Sequence, residues 1–396
     1  MAKSKQRTPK THKTFKPRTF GQKSKSGLNS IQKPQGNQKF YPLPPPTGQV
    51  PYHMSLDSVL PPNQISKIQK FKKMVFHIVG DTGGIKDPYP QQAVAVAMKS
   101  DFDSENAPMF FYHLGDVVYF YGEASQYFSQ FYEPYANYPG PIFAIPGNHD
   151  GDVARGYNTP SLEAFVTNFC SQKPQVSPDG GESSRDTMTQ PNVFWTLDAP
   201  LVTMIGLYSN VPEGGEFEQD QIDWFVNELK NAPKSKALIV SVHHPAYSLD
   251  VYHSGSKTID QMLDDAFAKS GIIPDIVFTG HVHNYQRFTR NLKGYQTPYI
   301  VAGAGGYHNL HPMQKRSDGN NIQTPYTDPN HSNITLENYC SDHNGYMVLQ
   351  VTPDSISGSY YIVPKQNESW STKSQKIDSF VLDTNKHKLT KSINHP

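Results

Sequence analysis

The chain has 396 residues, with 36% apolar and 18% charged side chains and with 23 Tyr and 21 Phe. So many aromatics exclude disorder along the whole length, and the lack of any run of about 18 apolar residues excludes a transmembrane helix. Two Cys exclude a disulfide scaffold or a cysteine-rich zinc module.

The net charge of +1 hides a split. Residues 1–50 hold 11 Lys or Arg and no Asp or Glu, which leaves 25 basic against 35 acidic side chains in the rest. This first segment is rich in Lys, Thr, Ser, Gln and Pro and has no apolar periodicity, so residues 1–50 read as a disordered basic arm. The run Pro42-Leu43-Pro44-Pro45-Pro46 adds a stiff extended spacer. Such an arm acts as a solubilising tail or makes weak contact with nucleic acid or an anionic membrane. No apolar signal-peptide core stands near Met1, so the expected location is cytoplasmic, with unconventional export as the rival.

From about residue 70 short apolar runs alternate with amphipathic segments. The runs Met74–Val79, Met109–Leu114, Pro141–Ile145, Leu238–Val242 and Asp275–Thr279 predict strands buried on both faces. Helices are expected at Gln91–Lys99, Glu123–Tyr132, Glu218–Asn231 and Thr258–Lys269. In the third, Ile222, Phe225, Val226 and Leu229 form a one-sided stripe. This rhythm implies βαβ units and a mainly parallel sheet in a domain spanning residues 70–363. Residues 171–191 read as a surface loop and 307–342 as a second polar insertion. Gly345–Val351 and Ser357–Val363 alternate like a closing antiparallel hairpin. Residues 364–396 read as a polar C-terminal extension with Phe380–Leu382 as its one anchor. Cys170 and Cys340 are expected as two buried free thiols rather than one bridge.

The polar residues that end the five strands are of one chemical kind. They are Gly80-Asp81, Gly115-Asp116, Gly147-Asn148-His149-Asp150, His243-His244-Pro245 and Gly280-His281-Val282-His283. In an open α/β sheet, ligands bind outside the carboxyl ends of the strands. Asp, Asn and His aimed at one place supply hard oxygen and borderline nitrogen donors for Fe, Mn, Zn or similar ions. They are too many for one tetrahedral site, whereas two ions with a bridging carboxylate use about this number and suit attack on a phosphorus ester.

These blocks resemble the calcineurin-like metallophosphoesterases, and more closely the purple acid phosphatases. That family reads Gly-Asp-x-Gly, Gly-Asp-x-x-Tyr, Gly-Asn-His-(Asp/Glu), Val-x-x-His and Gly-His-x-His. Here the blocks stand as Gly80–Gly83, Gly115–Tyr119, Gly147–Asp150, Val240–His243 and Gly280–His283. The resemblance implies a four-layer α/β/β/α sandwich with two mixed sheets and a two-metal site at the strand C-terminal edge. It implies that Asp81, Tyr119 and His283 hold the first ion, Fe(III), that Asp116 bridges, and that Asn148, His243 and His281 hold the second, Fe, Zn or Mn. His244 stands beside His243, and the Val-x-x-His spacing selects His243. His149 and His253 are the expected catalytic residues, facing the phosphate or the leaving oxygen. The expected activity is hydrolysis of phosphate monoesters by in-line attack of a hydroxide generated at the metal pair. The alternatives are a phosphodiesterase or nucleotide pyrophosphatase of the same superfamily, and a binding protein that works through its basic arm. Gln286 departs from the family's Tyr-Glu-Arg at Tyr285-Gln286-Arg287 and puts one supporting contact in question.

Overall fold

Alternation along each apolar run decides which of two cores a side chain joins. The computed structural model describes residues 27–30, 43–153, 160–209, 215–368 and 373–394. In chain order the strands are β1 (Asn29–Ser30), β2 (His53–Ser55), β3 (Met74–Val79), β4 (Phe111–His113), β5 (Ile142–Ala144) and β6 (Trp195–Asp198). There follow β7 (Val202–Leu207), β8 (Ala237–Val242), β9 (Gly255–Ser256), β10 (Ile276–Thr279), β11 (Tyr285–Leu292) and β12 (Tyr295–Ala302). The last are β13 (Tyr326–Thr327), β14 (Ile334–Cys340), β15 (Gly345–Val351), β16 (Ser355–Ile362), β17 (Gln375–Asp383) and β18 (Lys388–Asn394). The α-helices are α1 (Pro62–Phe71), α2 (Tyr89–Ser100), α3 (Asn148–Gly151), α4 (Glu163–Phe169), α5 (Gln219–Asn231) and α6 (Lys257–Ser270).

One sheet has seven strands in the order β18-β17-β16-β15-β3-β4-β5, and the other has nine in the order β13-β14-β11-β12-β10-β8-β7-β6-β2. Each is mixed. The parallel strands β3-β4-β5 lie in the first, and β7-β8-β10-β12 in the second. Met74, Phe76 and Ile78 of β3 share a buried cluster with Ile239 of β8 and Phe278 of β10, so the two sheets pack face to face. The intervening residues join the outer cluster. Val79 lies there with Val94 and Met98 of α2, and Val240 and Val277 lie there with Leu229 of α5 and Phe267 of α6. This is the expected helix–sheet–sheet–helix sandwich.

Several boundaries differ from expectation. The segment expected as a helix over Glu123–Tyr132 splits into a 3₁₀ turn at Ala124–Gln126 and a π turn at Phe128–Tyr132. The insertion 307–342 carries β13 and β14, and β14 pairs with β11. Within the polar C-terminal extension, β17 pairs with β16, and β18 with β17. In β17 the buried face carries Asp378, Phe380 and Leu382 and the other face carries Ile377, Ser379, Val381 and Asp383, so no apolar–polar alternation marked the strand. The basic arm is not wholly separate, since Asn29 and Ser30 pair with Gly255 and Ser256. Residues 1–26 and 31–42, where disorder and nucleic-acid or membrane contact were expected, lie outside the described residues. Cys170 and Cys340 are separate buried thiols. Among the described residues no helix is long and apolar enough to cross a membrane.

Candidate metal centre

The five blocks meet where β3, β4, β5, β8 and β10 end. A sharp change of direction is needed there to turn each ligand into the space between the sheets. Asp81, Asp116 and His281 adopt left-handed φ values of 57°, 54° and 66°, conformations that cost about 1–3 kcal/mol each in ordinary residues. Two glycines are sterically required. A Cβ at Gly115, φ +96°, would lie 2.6 Å from both Gly147 N and His243 Nδ1, and one at Gly147 would lie 2.1 Å from Asp116 Oδ1. Gly115 before Asp116 and Gly147 before Asn148 are therefore what let these two strand ends close on one another.

All seven expected ligands come together in two sets. In the first, Tyr119 Oη lies 3.4 Å from Asp81 Oδ1 and 3.4 Å from His283 Nε2, and Asp81 Oδ1 lies 3.6 Å from His283 Nε2. In the second, Asn148 Oδ1 lies 2.9 Å from His281 Nδ1 and 3.2 Å from His243 Nε2, and Asp116 Oδ2 lies 3.4 Å from His243 Nε2. Four of the seven side chains are held from behind. His243 Nδ1 donates to Leu114 O at 2.8 Å and His283 Nδ1 to Asn309 O at 3.0 Å, which fixes both tautomers. Asp81 Oδ2 accepts from His281 N, and Asp116 Oδ1 accepts from His149 N, both at 2.9 Å.

The two expected catalytic histidines border these sets. The ring of His149 lies 4.5 Å from that of Tyr119, and its Nδ1 donates to Phe120 O at 2.9 Å. The ring of His253 lies 4.7 Å from that of His281. His244 packs beside the donors, its ring 4.4 Å from that of His281, while its Nδ1 pairs with Ser209 Oγ at 2.9 Å. Gln286 proves to be a support. Its Oε1 accepts from Leu249 N at 2.8 Å, and its amide donates to Ser248 Oγ and Asn284 Oδ1. A Glu could not donate those last two bonds as a carboxylate.

Sequence reading missed several neighbours. Asp150, buried in the third block, accepts from Gly147 N, Val117 N and Val118 N, and so ties two ligand loops together. The acidic fourth residue of that block was the signal. Gln130, on the π turn, accepts from Tyr119 N at 2.9 Å and donates to Tyr119 O at 3.0 Å. Tyr307 stacks on Tyr119 at 4.2 Å, and His311 lies 4.4 Å from His283 and 5.2 Å from His253. Both come from the insertion, where no local pattern marked them.

The electrostatics suit cations. Burial pushes His281 and His283 well below the usual imidazole range, so both are neutral, donor-ready rings. Burial lifts the Asp81 carboxyl well above the usual range. Burial opposes charge at His243 too, but the carboxylate of Asp116 outweighs it and holds His243 at about 9. The phenol of Tyr119 is pushed well up by burial and then by the charges of Asp116 and Asp81. A strong cation is what would reverse that shift and release its proton.

The donor spacing fits ions. Atoms bonded to one ion at about 2.0–2.2 Å stand roughly 3–3.5 Å apart, and the two sets show separations of 2.9–3.6 Å. Comparison with known proteins agrees. A probable purple acid phosphatase of Arabidopsis thaliana is 31% identical over 157 residues, 38% of this chain and 33% of its own length. A second relative from that plant, an Fe(3+)-Zn(2+) purple acid phosphatase, is 38% identical over 73 residues, 18% of this chain and 15% of its own length. The chain thus matches well under two thirds of these relatives. A purple acid phosphatase from yellow lupin seeds shares the fold, with a TM-score of 0.54 and 17% identity over 78% of this chain and 54% of that one. Residues 74–285, more than half of the chain, match the calcineurin-like phosphoesterase family. That match spans all five strand-end blocks, and the chain belongs to the calcineurin-like phosphoesterases.

Proposed function

We propose that the chain is a phosphatase that hydrolyses phosphate monoesters at a two-metal centre. Asp81, Tyr119 and His283 would hold one ion, Fe(III), Asn148, His243 and His281 would hold the other, Fe, Zn or Mn, and Asp116 would be shared. The observation that carries this reading is the division of seven buried donors into two sets, one of which contains a phenol. Ions bound there supply Lewis-acid stabilisation of a phosphoryl group and acidify water. The chain's own residues do the rest. Asp150 and Gln130 hold the ligand loops in register. Tyr307 covers the Tyr119 ring and limits water around it. His149, its Nδ1 committed to Phe120 O, offers Nε2 to a phosphate or leaving oxygen. His253 offers a second imidazole from the opposite side chain cluster, beside His281.

The test combines metal content, visible spectrum and a substrate panel. About two ions per chain are expected, with a broad visible band that Tyr119→Phe abolishes. Turnover of p-nitrophenyl phosphate should exceed that of bis-p-nitrophenyl phosphate and of nucleotides. Faster diester turnover would replace the monoester reading with a phosphodiesterase. A protein holding less than one ion per chain under several loading conditions would end the enzyme reading.

A further inference from the structure

The loop that carries His253 runs from His243 to the start of α6, and its regular pairing is confined to the short β9 and isolated bridges. It is held on its inner side by Gln286, through Leu249 N, and by the buried carboxylate of Asp250, which accepts from Tyr252 N and His253 N, both at 2.7 Å. Its outer side is held by the basic arm. The single carbonyl of Leu28 accepts from Ser248 N at 3.0 Å and Gly255 N at 3.2 Å, joining both shoulders of the loop. Ser30 Oγ meets Ser254 Oγ at 2.6 Å, one residue from His253. Asn29 Nδ2 donates to Asp260 Oδ2 on α6 at 3.1 Å. Gly27 N donates to Gln314 Oε1 at 3.1 Å, and the Gln314 amide donates to Asp250 O at 2.9 Å, so the same segment also reaches the turn that bears His311. The Leu28 side chain is 1% exposed and belongs to the outer core with Tyr247, Leu249 and Ile259.

We infer that Gly27–Ser30 is a strap that positions His253 and His311 for turnover, so that the basic arm is part of the support of the site rather than an appendage. The physical reason is hydrogen-bond satisfaction. Ser248 and Gly255 are buried, and without the Leu28 carbonyl two buried amide donors lose their acceptor. The loop then shifts to find water or new partners, and His253 shifts with it. A displacement of about 1 Å at a reacting group lowers turnover by as much as about a hundredfold. The donors of the metal sets are held by strand ends and stay where they are. The inference rests on the phosphatase reading for its catalytic half only.

The test uses the full chain with Leu28→Asp, Asn29→Ala and the conservative Leu28→Met. Hydrogen exchange at Ser248 and Gly255, metal content, and kcat and KM for p-nitrophenyl phosphate are measured. Leu28→Asp should speed exchange at these two amides by about tenfold or more. It should leave metal content unchanged and lower kcat about tenfold with little change in KM. Asn29→Ala should do the same more weakly, and Leu28→Met should match the wild type. Unchanged exchange in Leu28→Asp overturns the strap. Faster exchange with unchanged kcat overturns the positioning role, and loss of metal alongside kcat assigns the segment to overall folding instead. A wild-type chain inactive on the probe overturns the phosphatase reading and the catalytic half with it, while exchange still decides whether the strap exists.

Discussion

The two end segments both read as polar tails, and described residues of each, Gly27–Ser30 at one end and β17 and β18 at the other, join the fold by different forces. At the C-terminal end, β17 brings Asp378 into the interior, where Arg287 Nε and Nη2 meet its carboxylate at 2.7 and 2.9 Å and Tyr285 Oη donates at 2.6 Å. Phe380 and Leu382 enter the core between the sheets. At the N-terminal end the contacts are lighter. Leu28 contributes one buried side chain and one shared carbonyl, and His53 enters on β2 with its ring half exposed between Asp198 and Glu228. One end is secured by buried charge and apolar area, the other by main-chain bonds to a loop. The first arrangement governs stability, and the second governs the position of a site residue.

The comparison breaks most readily at Asp378. Asp378→Ala leaves Arg287 buried without its carboxylate and should cost about 3–5 kcal/mol in denaturant unfolding, with kcat of the folded fraction retained. An unfolding midpoint like that of the wild type would show that the C-terminal strands are dispensable. Leu382→Ala, at a site 1% exposed, should cost about 2–5 kcal/mol by the same measurement. Ser256→Ala removes the side chain that caps α6 by accepting from Ile259 N, beside the strap, and should cost about 0.5–2 kcal/mol.

The smallest effect separates the two anchors by pH. The hydrogen bond to Asp198, then that to Glu228, raise His53 from 6.5 to about 9. The folded form binds its proton more tightly, so this stability is fully present below about pH 6.5 and is lost as pH rises through about 9. Thermal unfolding of wild type and His53→Ala should therefore differ at about pH 6.5 and converge at about pH 10. The Arg287 guanidinium stays protonated across that range, so Asp378→Ala, which leaves it buried without a partner carboxylate, should show the same deficit at both. A His53→Ala deficit that persists at high pH would assign the residue a packing role alone.

Legibility followed the range of the interactions involved. The five strands and their terminal blocks were readable because unbroken apolar runs and Gly-Asp or Gly-His junctions are local signals. Met74–Val79 forms β3 with the expected limits, α5 starts one residue later than expected, and α6 is one residue longer at each end. The helix expected at Glu123–Tyr132 failed because its pattern does not distinguish i→i+4 from i→i+5 bonding, and the tie between Gln130 and the Tyr119 backbone selects the wider turn. Tyr307 and His311 were invisible for another reason. They lie in an irregular insertion, and only the fold carries it across to His283.

By itself, then, the sequence marked an α/β rhythm and the strand ends that meet at the centre, while the resemblance of the five blocks implied the sandwich and the seven ligands. Each block is a short run of neighbouring residues at the end of an apolar run, so it is readable locally. The tertiary structure alone decided that Asp150, Gln130 and Gln286 support these residues, and that Gly27–Ser30 and the last two strands join the fold. Those outcomes depend on hydrogen bonds and charge pairs between residues far apart in the chain. Leu28 with Gly255 and Arg287 with Asp378 are examples. A polar residue in a chain carries no mark of whether its partner is water or another strand.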